Sequence, residues 1–290
     1  MLQTHVTTSS RPRTARDATA PIQTTIAAAP HPMPHAAAAI RLACGDRATI
    51  EECQALARAL VDIVSLRNGA PVSGAFGDAT HLHLLLDGWA YRAEGLPDGA
   101  RQITDVLVPG DICDWVAPAP HEDIRASGPA RVAVLRRVVD GHDLQTLSAR
   151  REHAMIGNIR RLRGQLTSLG RRDARERIAY CLCDLHRRMK RIGRAASGAF
   201  ACPLTQKQLA DLLGLTSVHV NRVLQGLRRD GVLMFGKRQI AILDLPLLHA
   251  IAGWQTQYAD RAAADRRSML PREGGPQPHA TAITNSRGLS

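Results

Sequence analysis

The 290-residue chain is notable first for what it lacks. No apolar run approaches the ~18 residues that a membrane-spanning helix needs, so the sequence predicts a soluble protein. Its six cysteines (Cys44, Cys53, Cys113, Cys181, Cys183 and Cys202) form neither a CxxC pair nor a regular ladder, the pattern of reduced thiols in a cytosol. Cys181 and Cys183, two apart on a predicted helix, point about 200° from each other and cannot chelate one metal. Lysine is scarce: only Lys190, Lys207 and Lys237 stand among 38 basic residues, which reflects codon bias toward Arg in a GC-rich genome. The N-terminus lacks the long apolar core of a secretory signal, and a cytoplasmic location is expected. Residues 1–39 and 261–290 also lack periodic apolar residues and are expected as disordered tails.

What is present is a basic half and enough apolar material for a core. Hydrophobic residues make up 44% of a chain whose length suits two domains. From Ser148 to Arg238 there are 20 Lys/Arg against 6 Asp/Glu, so this stretch carries +14 of a net +12 and the remainder sums to −2. A basic half joined to a near-neutral half points to a polyanionic partner, nucleic acid first.

The near-neutral half opens with a short helix in ATIEECQALARAL, where Thr49 and Glu52 spell a capping box. Next, HLHLLLDGWAYRAEGLPDGARQITDVLVPGDICDW breaks into short strand-like pieces at DG, PDG and PGD, and a further strand follows at 131–138. This spacing describes antiparallel strands in a sandwich or roll over about 40–141. His81 and His83 share a strand face and Asp87 follows, a grouping similar to the HxH and carboxylate of cupin metal enzymes. The weight of this grouping is reduced because cupins normally use Glu and a third histidine.

A connecting helix spans 142–170. Met155, Ile159, Leu162, Leu166 and Leu169 recur at alternating intervals of four and three, the 3.5-residue period of a coiled-coil seam. Gly157 and Gly164 each weaken the helix by about 1 kcal/mol relative to Ala, so a partner is expected to supply stability. A helix with Ile178, Leu182, Leu185 and Met189 on one face comes next.

The most specific text is PLTQKQLADLLGLTSVHVNRVLQGLRRDGVL. Thr205 and Gln208 form a capping box, Gly214 ends the first helix, and Thr216 caps a second that runs to Arg229. Two short helices around such a turn predict a helix-turn-helix, with Leu209, Ala210, Leu213, Val220, Val223, Leu224 and Leu227 in its core. Ser217, His219, Asn221 and Arg222 then face a major groove, where Arg222 can donate two hydrogen bonds to guanine and Asn221 can pair with adenine. Thr205, Gln206 and Thr216, at the helix starts, complete the expected contact set. VLMF and RQIAIL read as strands around a Gly236-Lys237 turn of type II′, forming a wing whose Lys237 and Arg238 meet phosphates.

The order of roll, long helix and winged helix-turn-helix resembles the Crp/Fnr family of bacterial transcription regulators over about residues 40–260. The resemblance is carried by DGARQITDVLVPGDICD (98–114), RERIAYCLCDL (175–185) and PLTQKQLADLLGLTSVHVNRVLQGLRRDG (203–231). It implies an α+β chain without enzymatic activity. Residues 40–141 would be a cyclic-nucleotide-binding-like β-roll, 142–170 a dimerisation helix and 171–260 the DNA-binding domain. It further implies a homodimer on an inverted-repeat operator, acting with RNA polymerase, in which Arg222 reads guanine.

Departures from the family pattern bear on the effector and the operator. Gly110-Asp111 partly matches the Gly-Glu of the cyclic-AMP binders, but Ala119-Pro120-His121-Glu122 replaces their phosphate-holding Arg-Ser pair. The cysteines do not supply the clustered ligands of an iron–sulfur cluster. Neither cyclic AMP nor a cluster is expected, and Val218 stands where well-known members carry a base-reading Glu. Two other readings fit the residues less fully: an architectural DNA binder without signal input, and a cupin-like metal protein at His81 and His83.

Overall fold

The computed structural model describes residues 33–72, 81–113, 121–137, 141–195, 197–236 and 238–254. Two three-stranded antiparallel sheets build the N-terminal half. One has the order β1-β6-β2, from β1 (Leu60–Leu66), β2 (His81–Asp87) and β6 (Ala130–Arg136). The other has the order β4-β3-β5, from β3 (Ala90–Gly95), β4 (Arg101–Leu107) and β5 (Glu122–Ala126). Leu84 pairs with Ala133 in the first sheet and Tyr91 with Val106 in the second.

The two-residue period of a strand distributes these side chains among three cores. Leu85, Ala90, Leu107, Ile124 and Val132 meet between the sheets. Leu82, Leu84 and Leu86 face the other way, onto α1 (Met33–Cys44) and α2 (Ile50–Arg58). Tyr91, Ala93, Ile103 and Val106 join the core of the C-terminal half. The roll therefore packs on both of its outer faces.

The Thr49–Glu52 capping box is present at the start of α2. The N-terminal tail ends sooner than composition suggested, because α1 starts at Met33 and buries Ala36 and Ile40. Alanine has the highest intrinsic helix propensity, and its small side chain allows close packing, so an Ala-rich stretch that looks featureless can still be a core helix. The rest of the two tails lies outside the described residues.

The connecting helix is α3 (His142–Arg171), followed after Arg172 and Asp173 by α4 (Ala174–Arg191). Asp173 and Glu176 make a capping box that restarts the chain as α4. Ile178, Leu182, Leu185 and Met189 are all buried, at about 1.5–3 kcal/mol for each fully buried side chain. Gly164 of α3 has a packing role: a Cβ there would lie 2.5 Å from the Tyr180 hydroxyl, so its absence lets α4 approach. The Tyr180 ring is fixed by the Arg172 guanidinium 4.0 Å from its centroid and by Trp254 at 5.0 Å.

Candidate nucleic-acid interface

The C-terminal half contains α5 (Gln206–Leu213), α6 (Ser217–Arg229) and a small sheet, ordered β7-β9-β8, from β7 (Ala199–Ala201), β8 (Leu233–Gly236) and β9 (Gln239–Ile242). A final helix, α7 (Leu245–Ala252), packs on α4. The helix-turn-helix forms at the predicted residues. Thr205 and Gln208 cap α5 reciprocally, Gly214 takes the left-handed conformation at φ +63° and ends it, and the Thr216 hydroxyl accepts from His219 N–H at 3.2 Å to start α6. Val220, Leu224 and Leu227 are buried, and Val223 is half-buried.

The opposite face of α6 is open. Ser217, Val218, His219, Asn221 and Arg222 are exposed, with Val218 at 68%. Arg222 makes no hydrogen bond or ion pair among the described residues, which leaves its guanidinium available to a ligand. Gln206 donates to Asn221 Oδ1 at 3.2 Å, so the starts of the two helices share one polar patch. Thr205 and Thr216 are exposed, but their hydroxyls are already engaged in capping.

The wing differs from the expected hairpin in two respects. It has three strands, because Phe200 pairs with Ile240. Its turn also falls later than expected: Gly236 pairs with Gln239 within the sheet, and Arg238 adopts φ 61°. Gly236 continues β8 instead of opening a type II′ turn, since the cross-strand register, fixed by buried Ile240 and Ile242, overrides the local glycine signal. Arg238 is exposed, and Lys237 lies outside the described residues.

The turned-away side of α5 rests on the roll. Arg101 Nε on β4 donates to Asp211 at 2.8 Å, and Ser127 Oγ donates to Gln208 Oε1 at 3.3 Å. Gln102 of β4 and Gln165 of α3 both donate to the Leu212 carbonyl, at 3.2 and 3.0 Å. This carbonyl is one of the orphan acceptors of a helix C-terminus. A buried ionic cluster lies behind this contact. Asp111 is 5% exposed, accepts from Val108 N–H at 2.8 Å and from Arg188 of α4 at 2.5 Å, and is also bonded by Arg47. Burial alone would raise the Asp111 carboxyl, but the charges of Arg47, Arg188 and Arg161 outweigh it and hold the group well below the ordinary carboxylate range.

On α3, Met155, Ile159, Leu162 and Leu166 are 36, 47, 44 and 72% exposed. Leu169, the fifth residue of the predicted seam, turns inward, with Cδ2 3.2 Å from the position of a Cβ on Gly214. The helix ends against the helix-turn-helix there, and the seam shortens to four residues.

The possible metal grouping does not assemble. His83 is buried, whereas Asp87 is largely exposed and is bonded by Arg194 at 2.5 Å. A register irregularity between Leu85 and Asp87 separates the aspartate from the regular face alternation. Among the described residues no three His, Cys, Asp or Glu side chains come together as a metal site. No helix of the described residues is long and apolar enough to cross a membrane.

Comparison with known proteins agrees with this geometry. The Crp-like helix-turn-helix domain matches residues 176–251. The chain is 30% identical over 177 residues to the transcriptional activator protein FnrL of Cereibacter sphaeroides, covering 58% of this chain and 71% of that one. It is 28% identical over 211 residues to the nitrogen fixation regulation protein FixK of Bradyrhizobium diazoefficiens, covering 71% and 87%. Among solved structures, FixK2 from Bradyrhizobium japonicum superposes with a TM-score of 0.55 at 27% identity, over 65% of this chain and 96% of that one. With a roll, a long helix and a helix-turn-helix whose second helix leaves one face open, the chain belongs to the Crp/Fnr family of DNA-binding transcription regulators.

Proposed function

We propose that this regulator works as a homodimer on an inverted-repeat operator, that two copies pair through α3, and that α6 of each enters a major groove. The observation that carries this reading is the presence, on one chain, of an uncovered apolar seam at Met155, Ile159, Leu162 and Leu166 and an uncovered polar helix face at Ser217, His219, Asn221 and Arg222. Arg222 is assigned to guanine, Asn221 and His219 to neighbouring groups, and Arg238 with Lys237 to phosphate. Thr205, Gln206 and Thr216 serve this face from the helix starts. The protein would act in the cytoplasm with RNA polymerase as partner, in keeping with the activator function named for the Cereibacter relative.

The roll is proposed to take neither cyclic AMP nor an iron–sulfur cluster. Asp111, which stands at the position of the cyclic-AMP binders' glutamate, is already bonded by Arg47 and Arg188, and Glu122 pairs with Arg92. Cys44 of α1 and Cys53 of α2 lie in one core, while Cys113 lies in another, between the sheets.

Selection of bound DNA from a random pool, at about 150 mM salt to suppress non-specific phosphate binding, tests the reading. The expected product is a palindrome with half-sites about one helical turn apart. Arg222→Ala is expected to cost about 1–3 kcal/mol on that site and to relax selection at a single position in each half. Enrichment of no sequence, or an isotherm unchanged by Arg222→Ala, overturns base reading by α6.

A further inference from the structure

A cleft in the N-terminal half has one wall of leucines and a cluster of arginines, and DNA binding uses neither. Leu56 of α2, Leu82 of β2, Leu135 of β6 and Leu147 of α3 supply the apolar wall. These side chains belong to the core shared with α1 and α2, so the cleft is separate from the space between the two sheets. Arg136, Arg137, Arg150 and Arg151 also line it, and no acidic side chain among the described residues does.

Arg150 is the buried member of this cluster, at 4% exposure. Its Nη1 donates to the Arg47 carbonyl, while its Nη2 donates to the Gly110 carbonyl at 3.0 Å and lies 3.7 Å from Cys44 Sγ. These bonds hold the guanidinium plane in place, and none of them supplies a carboxylate. The third nitrogen, Nε, is buried with no hydrogen-bond partner among the described residues. Buried N–H groups are nearly always satisfied, and a buried guanidinium without a counter-ion is costly. A donor kept in that state at the wall of a cleft is set for a ligand that brings the acceptor and the charge.

Size and wall chemistry then select the ligand. The cleft has a volume of about 90 Å³, space for roughly three water molecules at about 30 Å³ each. Sites for drug-sized ligands start at about 300 Å³, so a nucleotide is excluded. An inorganic anion would give up its hydration shell against leucine side chains that return nothing. A carboxylate with a short alkyl chain satisfies both parts of the cleft, because its oxygens accept from a guanidinium while its chain removes leucine surface from water. We propose that this cleft binds a small aliphatic monocarboxylate, with Arg150 as counter-ion and the leucine wall against the chain. Leu147, Ser148 and Arg151 belong to the early turns of α3, so an occupied cleft ties the start of that helix to the roll. The same helix carries the exposed seam farther along, although binding itself does not depend on how the chain pairs or reads DNA.

The test titrates butyrate into the full chain at fixed ionic strength and follows binding by calorimetry and by saturation transfer to the butyrate methyl group. One site per chain is expected, with a Kd of about 1 mM or below. Butyramide keeps the alkyl chain without the charge, and inorganic phosphate keeps the charge without the chain; each should bind at least about tenfold more weakly. Arg150→Met should weaken butyrate by at least about tenfold. That side chain also joins α3 to Arg47 and Gly110, so a second variant covers the case in which Arg150→Met does not fold. Ser148 is exposed and lines the cleft, and Ser148→Glu places a competing carboxylate beside the arginines, which should weaken butyrate by a similar factor with helical content unchanged. Absence of saturable binding up to about 10 mM, butyramide or phosphate binding as tightly as butyrate, or butyrate affinity unchanged by Ser148→Glu or by a folded Arg150→Met, overturns the proposal.

Discussion

Asp111→Ala is expected to destabilise the protein by about 3–5 kcal/mol, the cost of leaving buried charge uncompensated. The carboxylate joins Arg47, next to α1, and Arg188 on α4, so its loss leaves two guanidinium groups facing each other out of water. Asp123, paired with Arg125 at the surface, provides the comparison: its side chain is 58% exposed, and Asp123→Ala should change stability by less than about 0.5 kcal/mol. The pH dependence follows from the sign of the shift. Because the folded carboxyl sits below its unfolded value of about 3.9, its contribution is complete above about pH 5 and drains away as the pH falls further. Asp111→Asn should therefore flatten the acid side of the stability curve. Urea unfolding at pH 7 and pH 4, at fixed protein concentration, measures both effects, and a loss under 1 kcal/mol at pH 7 would remove the cluster from any account of what holds the roll to the DNA-binding half.

The second large effect is expected at the α3 seam. Ile159→Glu combined with Leu166→Glu should convert a dimer into monomers in analytical ultracentrifugation. Affinity for a two-half-site operator should fall by about 10²–10⁴, because the second half-site would no longer be held at high effective concentration. Affinity for a single half-site should not change. Both side chains are exposed in the single chain, at 47 and 72%, so helical content should survive the substitution. Leu169→Glu should behave differently: it places a carboxylate against Gly214 and should destabilise the join between α3 and the helix-turn-helix. A double-glutamate variant that still sediments as a dimer places the dimer contact elsewhere.

The contrast between Leu166 and Leu169 also shows how far the sequence could be read. A heptad period marks which residues share a helix face, but it does not reveal where that face passes from one neighbour to another. The caps of α5 and α6 were legible to the residue because Thr205, Gln208, Gly214 and Thr216 act within four positions of their partners. The antiparallel roll was legible as a class, from alternation and turn residues, although β1 and β5 were not read as strands. Elements whose stability comes from distant partners were not legible. β7 has three residues and exists because Phe200 meets Ile240. α7 was announced only by Asp244 and Pro246 at its start. Arg47 and Arg188 stand 64 and 77 positions from Asp111 in the chain, and nothing local joins them. On the interface itself, the exposed face of α6 was foreseen, whereas the Gln206–Asn221 bond and the displaced wing turn depend on packing between elements.

The carbonyl of Leu212, held by Gln102 from the roll and Gln165 from the long helix, separates two properties that are usually treated as one. In the proposed reading, the base preference of α6 resides in its own exposed side chains. The height at which α6 is carried above the seam is set by residues outside the helix-turn-helix, and in a symmetric pair that height fixes the distance between the two recognition helices. A helix-turn-helix grafted from this chain onto another roll would thus bring its vocabulary of bases with it and adopt the operator spacing of its host.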